Sequence, residues 1–381
     1  KSAGEGKFRY LIMLLIITLL FTCIPMNFNN VRAANEDNAP ATGGPPIEMV
    51  WSKTFGSAGY DAAYSVISVD KVNEEDKTEV RYVFTGTLSD DKGLEYTALV
   101  KTDKEGNLIW EKKFGGAFHS VGYSVVQTRD CGFIIAGINK TTMVSNDKIY
   151  VIKTDADGNL QWERILDLAE QGYSNTRRQA YSIKETDDGY IIAGSVIYGG
   201  TSDALIVKIN KMGIVSWALT FGGMNWDCFY DIEIVSDGYI AAGYTEDPGK
   251  LEYVVKIGMF GEITWEYKGV TPESQIKDLI ITNDGNIVAS GYRNASITLL
   301  KLGIDGASYW ENVYGQGIGY GVVQLESGEY VIAGDSRVVG VKADGRKSWE
   351  KDLNADKCFA RSVTISRSDS NYGSIIFAGY K

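Results

Sequence analysis

The stretch YSVVQTRDCGFIIAGINKTTMVSNDKIYVIKTDADGNLQWERI, residues 123–165, shows the unit that decides the fold of this chain. It contains four short segments that are rich in apolar residues and separated by polar turns, at 123–128, 133–137, 149–154 and 160–165. The first and last segments alternate apolar and polar residues, whereas the two middle segments are almost entirely apolar. Alternation with a period of two and short turns predict hairpinned β-strands. The stretch therefore predicts a four-stranded antiparallel sheet, with strands a to d in chain order.

The same unit recurs along the chain with a period of about 50 residues. One tryptophan marks each fourth strand: Trp51, Trp110, Trp162, Trp217, Trp265, Trp310 and Trp349. One glycine after Thr, Ala or Ser marks each second strand: Gly86, Gly137, Gly194, Gly243, Gly291, Gly334 and Gly379. Seven strand-rich copies at this period predict an all-β, seven-bladed β-propeller with four-stranded antiparallel blades. We expect the tryptophans to pack between blades rather than to stack on sugars, and the glycines to occupy crowded positions where adjacent sheets approach.

The two ends of the repeat predict how the ring closes. An isolated outer strand at 49–55 precedes the first blade, while the last blade supplies only strands a and b, at 361–366 and 374–380. We expect the isolated strand to complete the last blade. A third strand is then still missing after Lys381, which predicts a chain truncated at its C-terminus, because open sheet edges are normally avoided.

Residues 1–34 have the features of a secretory signal. Lys1, Lys7 and Arg9 precede an apolar run over 10–24, and small residues follow near Ala34. The run is shorter than the roughly 20 apolar residues of a membrane span, so we expect cleavage after residue 33 or 34. An uncleaved anchor or lipidation of Cys23 are the alternatives. The predicted organisation is a signal at 1–34, a linker at 35–47 and a propeller at 48–381, secreted or held at the cell surface.

Charge and residue usage exclude several classes of function. The net charge of −11 becomes −14 without the signal, which disfavours nucleic acid and anionic membranes as partners. The only histidine is His119, so a catalytic triad or a histidine metal site has little support. The Asp-rich turn at 155–159 lacks the further ligands of a calcium loop and is interpreted as a hairpin turn. We expect no metal, no cofactor and no disulfide framework from the scattered Cys131, Cys228 and Cys358.

Several motifs resemble a known bacterial repeat. Phe221-Gly222-Gly223, Asp237-Gly238 and Ala242-Gly243, with Asp203-Ala204 before Val207-Lys208, are similar to the seven-bladed bacterial propeller repeat called SBBP. The resemblance covers about 49–381 and implies the architecture and export, but no shared catalytic residue. The spacing from Gly158 to Trp162 also resembles quinone-dehydrogenase propellers, which typically carry eight blades. Because this chain shows seven copies, that resemblance does not predict a quinone cofactor.

The candidate binding site lies on one face of the predicted propeller, where the d-to-a and b-to-c connections emerge around the axis; we call it the loop face. Loops on a rigid scaffold commonly carry function. The predicted binding residues there are Trp226, Asp227, Asp61, His119, Tyr173 and Phe118. A repeated position on strand a holds Tyr64, Tyr123, Tyr181, Tyr230, Lys277, Tyr320 and Arg361. These side chains either line the mouth of the axis or pack between the inner strands.

Two functions of different classes follow from this organisation. The first is an exported, non-catalytic module that binds a protein or a glycan at the cell surface, as a monomer or within a longer multidomain chain. The alternative is a carbohydrate-active enzyme of glycosidase or lyase type, with Asp61 and Asp227 as carboxylates in the axial mouth. Their positions at blades one and four predict a large separation across the ring, which disfavours the enzyme. A purely structural spacer is a third possibility.

Overall fold

The computed structural model describes residues 11–17, 48–56, 60–72, 78–116, 118–140, 142, 146–173, 176–247, 249–353, 359–366 and 374–380. Every regular element in these ranges is a β-strand. No helix long and apolar enough to cross a membrane occurs in them.

The strands follow the chain order that the repeat predicts. Their bounds are β1 Leu11–Ile17, β2 Glu48–Lys53, β3 Ala62–Val72, β4 Thr78–Ser89, β5 Glu95–Asp103, β6 Leu108–Gly115, β7 His119–Gln127, β8 Phe133–Lys140, β9 Lys148–Thr154, β10 Leu160–Ile165, β11 Arg177–Glu185, β12 Gly189–Tyr198, β13 Thr201–Asn210, β14 Val215–Phe221, β15 Cys228–Val235, β16 Gly238–Thr245, β17 Leu251–Gly258, β18 Ile263–Lys268, β19 Ser274–Ile281, β20 Ile287–Arg293, β21 Ser296–Leu302, β22 Ser308–Gln316, β23 Gly319–Gln324, β24 Tyr330–Gly334, β25 Arg337–Val341, β26 Lys347–Asp352, β27 Phe359–Ile365 and β28 Ser374–Tyr380.

Within the described ranges, β3 to β26 form six blades, each made of four consecutive antiparallel strands. Blade 1 is β3–β6, blade 2 is β7–β10, blade 3 is β11–β14, blade 4 is β15–β18, blade 5 is β19–β22 and blade 6 is β23–β26. The first strand of each blade contacts the first strand of the next. These first strands therefore surround the axis, as in a propeller, and the fourth strands lie outside.

The two chain ends form a different sheet, the terminal sheet, in the order β2-β1-β28-β27. Only β27 and β28 pair antiparallel; β1 runs parallel to β28 on one side and to β2 on the other. Phe377 packs in the apolar cluster of blade 6, and Ile376 packs in that of blade 1. The terminal sheet therefore lies between blade 6 and blade 1 and closes the circle.

The predicted seven-bladed propeller is wrong in its number of blades, because six four-stranded antiparallel blades are present in the part of the chain that the structure describes. The sequence predicts that the strand at 49–55 completes the last blade as its outer strand, with a third strand missing between it and the strand of Gly379 because the chain is truncated after Lys381. Instead β1, from the predicted signal, occupies the position beside β28, and β2 pairs with β1. A short, wholly apolar run does not distinguish a signal from a buried strand. The signal at 1–34 and the boundaries 35–47 and 48–381 remain predictions.

The repeated glycine has a different neighbour from the one predicted. Gly243 on β16 pairs with Phe229 on β15, where the register shifts by one residue. A Cβ added to Gly243 would lie 1.9 Å from the carbonyl oxygen of Cys228. The crowding therefore comes from a bulge on strand a of the same sheet, not from the adjacent sheet. The equivalent glycines on the other second strands, except Gly334, make the same approach within 1.9 Å of a strand-a carbonyl.

The repeated tryptophans lie between blades, in agreement with the sequence. Trp110 of blade 1 contacts Phe133 of blade 2 edge-on, with ring centroids 6.2 Å apart. A Cβ on Gly158 of blade 2 would lie 2.8 Å from the Trp110 ring. Four residues later, Trp162 reaches Gly213 of blade 3 in the same way. The Gly-x-x-x-Trp spacing is therefore explained by packing, since each turn receives one indole and the next strand supplies another.

Candidate functional site

A ring of side chains faces the axis near the loop face, and we call it the axial ring. The strand-a bulges leave one residue per sheet without a partner on strand b, and these unpaired residues form the ring. Its members are Tyr64, Tyr123, Tyr181, Tyr230, Lys277, Tyr320 and Arg361. All seven are of intermediate exposure. The repeated glycine thus permits the bulge, and the bulge places these side chains.

The tyrosines of the axial ring pack against one another. Ring centroids are 5.0 Å apart between Tyr64 and Tyr123, 5.3 Å between Tyr123 and Tyr181, and 5.1 Å between Tyr181 and Tyr230. Burial raises the pKa of Tyr123 to about 12, so its hydroxyl stays protonated at neutral pH. Both sequence interpretations hold in part: the rings pack together, and each keeps some exposed surface around the axis.

Lys277 breaks the tyrosine pattern in blade 5. Its Nζ lies 3.6 Å from the ring centroid of Tyr230, the geometry of a cation–π contact. The same Nζ donates to Gln275 Oε1 at 2.6 Å. Burial lowers the pKa of Lys277 to about 7, and the positive charges of Arg361 and Lys250 act in the same direction. The ammonium group is therefore partly desolvated among other cations.

Arg361 breaks the pattern a second time, in the terminal sheet. Its guanidinium carbon lies 3.7 Å from the ring centroid of Tyr320, and Nη2 donates to the Tyr380 hydroxyl at 2.7 Å. The buried Nε has no hydrogen-bond partner among the described residues. Tyr320 belongs to blade 6, between blade 5 and the terminal sheet, so it separates Lys277 from Arg361 in the ring.

A second layer follows the axial ring by one residue and ties neighbouring sheets together. The Asp231 carboxylate accepts from the Ser182 hydroxyl at 2.6 Å and from the Leu279 amide at 3.1 Å. Asp278 accepts from the Val322 amide at 2.7 Å. Burial and the neighbouring Asp231 raise the pKa of Asp278 well above its ordinary value. These carboxylates are used in bonds between blades.

The aromatic residues of the predicted site lie on or beside three successive connections between blades. Trp226 is 39% exposed, and its backbone forms an isolated bridge to Ser202. Phe118 is 38% exposed and lies beneath Lys140, while the His119 ring contacts Glu95. Tyr173 is half-buried, and its hydroxyl bonds to Thr220 at 3.2 Å. The loop face therefore carries separate aromatic positions rather than one cluster.

Asp61 and Asp227 are buried and hold loops in place. Asp227 is 0% exposed; its carboxylate accepts from the Gly223 amide at 2.8 Å and the Glu246 amide at 3.3 Å. Asp61 is 4% exposed and accepts from the Ser89 amide at 2.8 Å. Each carboxylate thus joins the connection before strand a to the end of strand b in its own blade. A short acid in this position stabilises unpaired amides, which explains its presence without ligand chemistry.

Comparisons with known proteins identify the fold and no family. No family model matches the chain, and no curated protein matches it. The structure of the Dos1 propeller has a TM-score of 0.51 at 14% identity, covering 78% of this chain and 76% of that one. Sqt1 from Chaetomium thermophilum has a TM-score of 0.51 at 10% identity, covering 82% and 76%. These likenesses show a β-propeller, and the resemblance to the SBBP repeat remains a prediction.

Sequence reasoning named the axial ring position but left its two cations outside the predicted site. Lys277 and Arg361 were visible as the exceptions in a column of five tyrosines. The signal that could have identified them is the charge itself, because two positive residues replace neutral ones at an inward-facing position of an acidic chain. The predicted site consisted instead of residues on the loops, and two of them, Asp61 and Asp227, are buried in the structure.

Proposed function

We propose that this chain is an exported, non-catalytic binding module that holds a protein or glycan ligand on its loop face at the cell surface. It acts as a monomer or as one part of a longer chain. The propeller supplies a rigid frame on which loops keep a fixed geometry. Its acidic net charge of −11 disfavours nucleic acid and anionic membranes as partners.

The observation that carries this proposal is the exposure of Trp226. Among the tryptophans whose side chains the structure describes, Trp226 alone is exposed, at 39%. Its loop is held firmly, because the Asp227 amide donates to the Ser202 carbonyl at 2.7 Å. A rigid, exposed indole has large apolar area and little entropy to lose, which makes tryptophan a frequent anchor in binding interfaces.

The burial and hydrogen bonding of the two predicted carboxylates, Asp61 and Asp227, support a non-catalytic function. The alternative enzyme needs an acid and a second carboxylate that both reach a glycosidic bond. Asp61 and Asp227 are buried, and their oxygens accept backbone amides. They are therefore poor candidates for acid or nucleophile, and we assign them to loop structure.

The test compares Trp226→Ala with Phe260→Ala. Phe260 is 88% exposed in the turn after β17, on the opposite face, and serves as a matched exposed aromatic. An array of defined glycans and a phage-displayed peptide library supply ligands for the wild-type protein. Titration of the best binder should show a loss of about 30-fold or more for Trp226→Ala, the range of interface anchors. Phe260→Ala should bind as the wild type does.

Two results would contradict the proposal. If Trp226→Ala lowers the melting temperature as strongly as removal of a packed tryptophan such as Trp310, the indole belongs to the core. If binding is lost in Phe260→Ala and kept in Trp226→Ala, the ligand uses the other face. Turnover of a polysaccharide that disappears in Asp227→Asn would favour the enzyme instead.

A further inference from the structure

We infer that the axial ring binds an oxyanion group, a carboxylate, phosphate or sulfate carried by the ligand, between Lys277 and Arg361. The inference rests on the proposed function, because such a ligand enters through the loop face. It adds a chemical class and a position that the exposed aromatic residues do not specify.

The two cations of the axial ring lack an acidic partner among the described residues. In the described part of the chain, neither Lys277 nor Arg361 forms an ion pair with a carboxylate; their partners are tyrosine rings, the Gln275 amide and the Tyr380 hydroxyl. Lys250, near the same mouth, is different: its Nζ lies 3.1 Å from Glu246 Oε1. The chain contains 49 acidic residues against 38 basic ones, so acids were available to neutralise the ring.

Desolvation of Lys277 without an acidic partner among the described residues has an energetic cost. Removing an ammonium group from water without a partner is unfavourable, and apolar residues of similar volume commonly replace buried charges without loss of stability. The chain nevertheless has a lysine, Lys277, at a position where the other sheets have tyrosine or arginine in the same ring. Ionisable groups perturbed by desolvation are concentrated at functional sites. A bound anion would restore the solvation that Lys277 has lost.

The two cations carry N–H donors that the described residues do not satisfy. Arg361 presents a guanidinium stacked on Tyr320, and its buried Nε has no hydrogen-bond partner within the described ranges. Lys277 is an ammonium with three N–H donors, of which one binds Gln275. A planar guanidinium and an ammonium two positions apart in the same ring match the donors that an oxyanion with two or more oxygens requires.

The surroundings favour one anionic group over a polyanion. The acids near the mouth have their own partners: Glu95 contacts His119, Glu246 pairs with Lys250, and Asp335 accepts from the Ile318 amide at 3.2 Å. Their negative field adds to that of an acidic chain and repels extended polyanions. A ligand that places one charged group in the ring avoids most of this repulsion.

The test is calorimetric titration of the full chain with inorganic phosphate, sulfate and galacturonate at constant ionic strength. Lys277→Met keeps the volume and removes the charge, whereas Lys277→Arg keeps the charge. Lys250→Met is the matched control, since Lys250 also lies over a tyrosine, 5.4 Å from the Tyr244 centroid, but has a carboxylate partner. We expect Lys277→Met to weaken binding at least about 10-fold, Lys277→Arg to retain it, and Lys250→Met to change it about two-fold or less.

The preferred probe identifies the source of the anion: tighter phosphate or sulfate indicates a phosphorylated or sulfated ligand, and tighter galacturonate indicates a carboxylate. Either order supports the site. Absence of saturable binding to all three probes overturns it, as does an equal loss in Lys277→Met and Lys250→Met. Because Trp226→Ala tests the loop face with a different ligand set, failure of the anion site leaves that result standing and the two failures can be distinguished.

The pH dependence supplies a second readout that simple packing would not give. The titratable groups facing Lys277 are Cys228, Tyr230, Tyr292, Lys250 and Arg361. Burial raises the pKa of Cys228 to about 12 and that of Tyr230 well above its ordinary value, so both are neutral near pH 7. Lys277 is therefore the group that changes charge there. Affinity for sulfate, whose charge is constant in this range, should fall as pH rises through 7 and approach about 10-fold per pH unit above it, with proton uptake on binding, and Lys277→Arg should lack both effects.

Discussion

Replacement of Gly243 by alanine tests the origin of the axial ring. The new Cβ would lie 1.9 Å from the Cys228 carbonyl oxygen and 2.9 Å from the Phe229 Cα. Both atoms belong to the backbone of the bulge on β15, which cannot rotate away as a side chain can. The strand pair must therefore separate, or the bulge must be lost, and either change displaces Tyr230.

The magnitude follows from overpacking. Insertion of one carbon into a tightly packed position commonly costs about 1–3 kcal/mol. The upper end applies here, because the added carbon meets backbone atoms of β15, which cannot rotate away. Alanine also reduces the entropy of the unfolded chain, which returns about 0.4–1 kcal/mol. The net loss should be about 2 kcal/mol, a fall of about 3 °C in the melting temperature for a domain of this size.

Thermal unfolding followed by circular dichroism measures the effect, and Gly249→Ala provides the control. A Cβ added to Gly249 would meet no heavy atom within 4 Å, and this residue does not adopt a positive φ. Its replacement should leave the melting temperature unchanged or slightly raised. Phosphate binding should weaken in Gly243→Ala and persist in Gly249→Ala. Equal melting temperatures for the two variants would refute the reasoning that the bulge requires glycine.

Three further predictions concern packing and titration. Trp110→Ala should lower the free energy of unfolding by about 3–5 kcal/mol, measured by urea denaturation, whereas Trp226→Ala should change it little; equal losses would contradict the inter-blade assignment. Burial raises the pKa of Glu252 from 4.5 to about 8, so the stability that its protonated form contributes is present at low pH and is lost as pH rises between these values. Glu252→Gln should therefore flatten the dependence of the melting temperature on pH over that range. An unchanged slope would show that Glu252 does not cause this dependence. Burial raises the pKa of the Cys228 thiol to about 12, so peptide mapping after iodoacetamide treatment at pH 8 should find Cys131 modified and Cys228 intact; rapid modification of Cys228 would show that it is accessible.

The blade itself was predictable, because its pattern is local. Alternation, the Asp-Gly turns and the spacing from Gly158 to Trp162 are all set within one repeat, and the structure has the four strands in the expected order. The closure of the ring was not predictable in the same way. It depends on pairing between β1 and β28, more than 350 residues apart, and an apolar run carries no register.

The site was predicted only in part, since exposure and charge pairing are properties of the folded chain. Trp226 could be singled out because it lies outside the tryptophan period, and its side chain is exposed in the structure. Asp227 was misjudged, because an acid beside a loop has the same appearance whether it faces solvent or accepts backbone amides. Lys277 had no role in the predicted site, since no sequence pattern shows that a lysine lacks a carboxylate partner.

The central claim concerns Lys277 and Arg361, two cations without a carboxylate partner among the described residues. Bulges on the first strands place them at the mouth of the propeller, where they bind an oxyanion. The most direct measurement is an NMR titration of the lysine ε-carbon signals, with Lys277→Met to assign the resonance, in the absence and presence of phosphate. The account predicts a Lys277 pKa near 7 that rises when phosphate binds. A pKa near the ordinary 10.5 that phosphate leaves unchanged would contradict it.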